Sequence, residues 1–129
     1  MQFRAVDSDL PTGSRVIDRD AELPPNPESV SECRPMRVVD DGLGTASEVS
    51  VDGTPVAEIS PNNQYPADDR VVAVVFEADL DARAPGWTDN VDTLDDYLAW
   101  FKREWGVAIQ QYRYPVSRLR IPIETTATN

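Results

Sequence analysis

Residues 70–81 read Arg-Val-Val-Ala-Val-Val-Phe-Glu-Ala-Asp-Leu-Asp and contain the longest apolar run in the chain, Val71 to Phe76. A run of this length is far short of the roughly 20 apolar residues that a membrane span needs. It is also β-branched, which fits a strand covered on both faces. Past Phe76 the pattern alternates. Ala78 and Leu80 keep phase with Val72, Val74 and Phe76, while Glu77, Asp79 and Asp81 take the other side of an extended chain. The pattern predicts a central strand through residue 81 whose far end has one wet, acidic face.

The charge balance sets the solvent around that strand. Aspartate and glutamate total 23 against 12 basic residues, for a net charge of −11, and Lys102 is the only lysine. Such a surface repels itself in dilute buffer, and concentrated salt screens the repulsion. The composition resembles that of proteins from salt-in halophilic archaea; an acidic mesophilic protein is the plainer alternative. Either way, broad binding to nucleic acid or to an anionic membrane is disfavoured, since phosphates need a positive partner. The chain has no histidine, which excludes Ser-His-Asp and Cys-His nucleophile pairs within one chain and imidazole-bound zinc. One cysteine, Cys33, permits no internal disulfide and reads as a small buried apolar residue. The mixed start Met-Gln-Phe-Arg-Ala-Val-Asp lacks a basic-then-apolar leader, which leads to the expectation of a cytoplasmic protein.

Read in order, the chain gives one domain over 1–129. A proline-rich arm with short strands at 2–6 and 15–18 spans 1–34, a sheet–helix core spans 35–123, and 124–129 form a loose tail. Asn26-Pro27-Glu28 has the form of a helix start. Residues 35–40 read as a strand and 40–44 (Asp-Asp-Gly-Leu-Gly) as a turn. The clearest local signal is a hairpin, 47–51 and 54–59 joined by Asp52-Gly53. A loop at 60–69 carries Tyr65. The spacing of Leu94, Tyr97, Leu98, Phe101 and Trp105 predicts one main helix over about 92–105, capped by Asp92 and closed by Gly106. Trp100 lies off that stripe and can pack under Trp87. Residues 107–123 return as strand with an offset around Pro115, so Arg113, Arg118 and Arg120 fall on one outer face. The fold class is α+β, a mixed or antiparallel sheet with the helix packed on one face. The order of elements allows a crossover that would make the last strand parallel to the central one.

Two constellations carry possible chemistry. Carboxylates two apart on a strand, as in Glu77, Asp79 and Asp81, stand about 6.5–7 Å apart and can share a hard divalent ion such as magnesium. Over five or six residues this segment resembles the nucleophile motif of haloacid-dehalogenase-type phosphatases, and departs from it at Ala82-Arg83. A carboxylate-based metal hydrolase centred on Asp79 and Asp81 is therefore one alternative. The other is Tyr112-Arg113-Tyr114 with Arg118 and Arg120, side-chain types that bind single-stranded RNA. The expectation that accounts for both is structural. Arg113, Arg118 and Arg120 pair across the sheet with Glu77, Asp79 and Asp81, each pair contributing roughly 0.2–1 kcal/mol. No catalytic residues and no cofactor follow from this reading. It leaves a non-enzymatic binding or oligomeric module, with Arg113, Arg118, Arg120, Trp87, Trp100 and Tyr65 as its contact residues and a homodimer burying Trp87 and Trp100.

Overall fold

The structure, a computed structural model, describes residues 2–21 and 30–123. In chain order the strands and α-helices are β1 (Gln2–Ala5), β2 (Arg15–Asp18), β3 (Met36–Thr45), β4 (Ser50–Val51), β5 (Thr54–Pro55), β6 (Arg70–Phe76), α1 (Glu77–Arg83), α2 (Leu94–Trp105), β7 (Tyr112–Pro115) and β8 (Leu119–Ile123). The helix start expected at Asn26 and the tail at 124–129 lie outside the described residues. No helix among the described residues is long and apolar enough to cross a membrane.

Six strands form one sheet in the order β1-β8-β2-β3-β6-β7, and every pairing is antiparallel. The crossover that would have set the last strand parallel to β6 is thus not made. The order has a geometric consequence. β7 and β8 stand four strand spacings apart, about 19 Å in a flat sheet, yet only the 3-10 turn Val116–Arg118 joins them. At about 2 Å per residue that turn cannot span a flat sheet. The sheet is therefore rolled, and the corner at Val116–Arg118 carries the chain from one side of the roll to the other.

The central run meets its expectation of cover on both faces. Val72 and Val74 point into the roll with Leu10, Val16, Met36, Val38 and Leu119. Ala73 and Val75 point outward under the helical layer, into a core completed by Val39, Leu80, Ala84, Trp87, Leu94, Leu98 and Ile109. Burying each large aliphatic side chain in these layers contributes about 1.5–3 kcal/mol. Val71 joins a third cluster with Ala46, Val49 and Val56 under the small β4–β5 hairpin.

Several local expectations change. β6 ends at Phe76, and Glu77 opens α1 instead of continuing the strand. The predicted turn at 40–44 is strand: β3 runs on to Thr45 with register shifts between Val38 and Asp40 and between Asp41 and Thr45. Gly42 (φ 143°) and Gly44 (φ 126°) supply the backbone that these bulges need. The Asp52-Gly53 turn has both residues at positive φ, as a primed hairpin requires. Its strands are only two residues long, however, because a 3-10 turn begins at Val56. The main helix starts at Leu94 after a 3-10 segment, Pro85–Thr93, and has no side-chain cap. Leu94 and Leu98 are buried, but Trp105, the last residue of the apolar stripe, is 66% exposed. The stripe outruns the surface it packs on.

Candidate functional site

α1 divides the three carboxylates that a strand would have aligned. Residues two apart on a helix diverge by about 200°. Glu77, in the first turn, accepts from Arg15 (Nε to Oε2 2.6 Å, Nη2 to Oε1 2.8 Å) and from Arg37 (Nε to Oε2 2.9 Å). Arg15 and Arg37 are directly opposed across β2 and β3, so one carboxylate neutralises two facing cations. Asp81 accepts from the Trp87 indole N–H at 2.8 Å, and the Arg37 guanidinium lies 5.2 Å from the Trp87 ring centre. Asp79 borders a cleft beside α2, and all three acids also border a smaller pocket of about 360 Å³ with Arg34 and Tyr112. Among the described residues no group of three or more acidic or sulfur side chains is placed to hold a metal ion. The strand alignment behind the Glu77–Asp79–Asp81 site for magnesium is therefore corrected: the three lie on a helix, and Glu77 and Asp81 are taken up by Arg15, Arg37 and Trp87.

The arginine row is corrected as well. None of Arg113, Arg118 and Arg120 meets the α1 carboxylates, because the corner after β7 sends them to different places. Arg113 donates to the Ser50 carbonyl at 2.8 Å, tying β7 to the small hairpin. Arg120 donates to the carbonyls of Ser117 and Leu119, both at 2.9 Å. Arg118 grips Asp18 with two hydrogen bonds (2.8 and 2.7 Å), reaches the buried Asn62 Oδ1 at 2.9 Å, and lies over the Tyr114 ring. Burial works to lower the Arg118 pKa. The hydrogen bonds and charge of Asp18 outweigh it and hold the guanidinium above its ordinary value.

Tyr65 belongs to the same cluster and donates to Asp20 Oδ2 at 2.7 Å. Burial first, then the hydrogen bond to Asp20 and its charge, push the Tyr65 hydroxyl up. Arg118 and Tyr65 thus work together, as a latch that fastens the 60–69 loop and the β7–β8 corner to the end of β2. Tyr112 and Tyr114 stack at 6.5 Å, with Phe76 edge-on to Tyr112. The guanidinium over Tyr114, however, is already committed to Asp18. Cys33 is buried, and desolvation raises its thiol pKa.

The tryptophans part company too. Trp87 is buried among the residues under the helices, so it is unable to meet a partner. Trp100 stands 43% exposed on the outer side of α2. Its ring leans on Tyr97 at 5.9 Å, beside a groove of about 390 Å³ bordered by Asn90, Thr93 and Asp96. On that outer side Asp96, Trp100 and Arg103 form a row at i, i+4, i+7.

One further place was not found from the sequence. A cleft of about 730 Å³ opens between α1, the inner flank of α2 and residues 108–112. Nine of the 12 basic side chains make an ion pair, a hydrogen bond or a ring contact. Among the described residues Arg83, Lys102 and Arg103 do not, and Arg83 and Lys102 both border this cleft. Their i, i+4 and i, i+7 relation to Asp79 and Asp95 is visible in the sequence once α1 is known to be a helix. Comparison with protein-family models, with curated proteins and with solved structures finds no match for this chain.

Proposed function

We propose that this protein is a non-catalytic binding module that acts by pairing with a second copy of itself along α2. The observation that carries the reading is the outward row Asp96–Trp100–Arg103. It is self-complementary: when two such helices lie antiparallel about a two-fold axis at Trp100, Asp96 of each copy comes opposite Arg103 of the other. An isologous contact needs one patch that meets its own copy in this way. The acids of the first turn and the bases of the last, Asp95, Asp96, Lys102 and Arg103, give the helix opposite charge at its two ends, so the antiparallel arrangement is favoured over the parallel one. The groove beside Trp100, bordered by Asn90, Thr93 and Tyr97, offers a seat for the second copy's indole.

Trp87 is withdrawn from the expected dimer surface by its burial, and Trp100 remains as its aromatic anchor. One helix pair lies at the small end of specific interfaces. The dimer is accordingly reversible, with a Kd on the order of micromolar or weaker. Sedimentation velocity in molar KCl over a concentration series tests it. The wild type is expected to move from monomer to dimer, and Trp100→Ala to stay monomeric. A wild type that remains monomeric throughout would end the proposal.

A further inference from the structure

The cleft beside α2 has an unusual charge arrangement. Two carboxylates, Asp79 and Asp95, and two cations, Arg83 and Lys102, border the same space. No ion pair or hydrogen bond joins any of the four to another group among the described residues, although α1 places Asp79 and Arg83 one turn apart. Of the other ten bases, all but Arg103 are used on the chain's own acids, carbonyls or rings. The local balance is neutral, so the cleft favours neither a simple anion nor a simple cation. A molecule carrying both charges answers all four groups at once.

We infer that the cleft binds a short zwitterionic peptide. The ammonium goes to the carboxylates and the carboxylate to Arg83 and Lys102, as charge-assisted hydrogen bonds. The spacing agrees: Asp79 and Arg83 stand about 6 Å apart along the helix axis, and the two ends of an extended dipeptide lie roughly 7 Å apart. Gln110 and Gln111 on the opposite wall each offer an amide donor and acceptor, which suit the peptide unit between the charges. Leu98, Ala99 and Ile109 provide an apolar floor for small side chains. A volume of about 730 Å³ falls in the usual range for small-ligand sites. The site uses Asp95, Ala99 and Lys102 on the inner flank of α2, whereas the self-association row uses Asp96, Trp100 and Arg103. The two proposals therefore stand or fall separately.

The test is an NMR titration of the full chain with three probes: alanyl-alanine, its N-acetyl derivative (anion only) and its C-terminal amide (cation only). The free dipeptide is expected to shift the side-chain amides of Gln110 and Gln111 and to bind at least about tenfold more tightly than either capped form, the loss expected when one charged contact is removed. Lys102→Met and Asp95→Asn, both at exposed positions, are each expected to reduce its binding to the level of a capped form. Glu58→Gln, an exposed change outside both the cleft and the α2 row, is expected to leave binding unchanged, and near-ultraviolet circular dichroism identifies any variant that has lost its fold. The same response to all three probes, or no shift at the cleft residues up to about 10 mM dipeptide, would overturn the inference.

Discussion

Replacing Glu77 by Gln separates a structural role for the first acid of α1 from the equal, repeated row that alternation implied. The change keeps size and removes the charge that sits between Arg15 and Arg37. The Glu77 side chain retains 12% of its accessible surface, Arg15 30% and Arg37 21%, so solvent screens this cluster only in part. Hydrogen bonds to a charged acceptor contribute about 1.5–3 kcal/mol, against about 0.5–1.5 for neutral ones, which puts the loss near 1 kcal/mol for each arginine. Two guanidinium groups then face each other without the Glu77 charge between them, adding roughly 0.2–1 kcal/mol. The total is about 2–3 kcal/mol, below the 3–5 kcal/mol typical of breaking a fully buried pair. For a chain of this size that corresponds to a Tm lower by roughly 6–15 °C. Thermal and urea unfolding followed by tryptophan fluorescence measure it. Asp79→Asn is expected to stay within about 0.5 kcal/mol of wild type, and adding Arg15→Met to Glu77→Gln to recover part of the loss. If Glu77→Gln costs no more than Asp79→Asn, the reasoning fails.

Three other outcomes follow from the same structure. Gly13 has φ +89°, and a Cβ there would stand 2.1 Å from the Val91 carbonyl oxygen, so Gly13→Ala is expected to cost more than about 2 kcal/mol in urea unfolding. Tyr65 and Tyr114 both have pKa values raised above the ordinary 10.0, chiefly by burial. Because the unfolded chain ionises first, their contribution is complete below pH 10 and is lost as pH rises through the folded values; urea midpoints are expected to fall above pH 10, and less steeply in Tyr114→Phe. The net charge of −11 makes stability rise with salt, because the screening length shrinks from about 30 Å at 0.01 M to 3 Å at 1 M; a Tm independent of KCl would contradict that.

The sheet was legible where the pattern was both local and long. Val71 to Phe76 could be placed as a doubly covered strand because five of its six positions are β-branched or aromatic, which admits few other solutions. The Asp52-Gly53 turn was legible because its backbone chemistry is local. The segment after Phe76 was not. Five alternating residues fit a strand, yet Leu80, Ala84 and Trp87, all buried in one cluster, have helical spacing and carried the competing signal. The glycines at 42 and 44 read as a turn because positive φ serves turns and bulges alike; what decides is pairing with β6, a long-range fact. The same holds for the arginines. Local alternation identified an offset near Pro115 but gave no indication that this offset is a corner between two sides of a rolled sheet. Arg118 therefore finds Asp18, a hundred residues earlier in the chain, and not the acids of α1.

The proposed pairing of α2 with its own copy rests on charge as well as shape, and charge reversal addresses it most directly. Sedimentation of Asp96→Arg, Arg103→Asp and the double variant should be compared at the lowest salt that keeps the fold complete, where the row is least screened. Each single reversal would set like charges against each other across the proposed two-fold axis and is expected to leave the protein monomeric at concentrations where the wild type is expected to dimerise. The double reversal restores opposite charges and is expected to dimerise again, within about tenfold of the wild-type affinity. A double variant no better than either single one, or single variants that associate as the wild type does, would contradict the account.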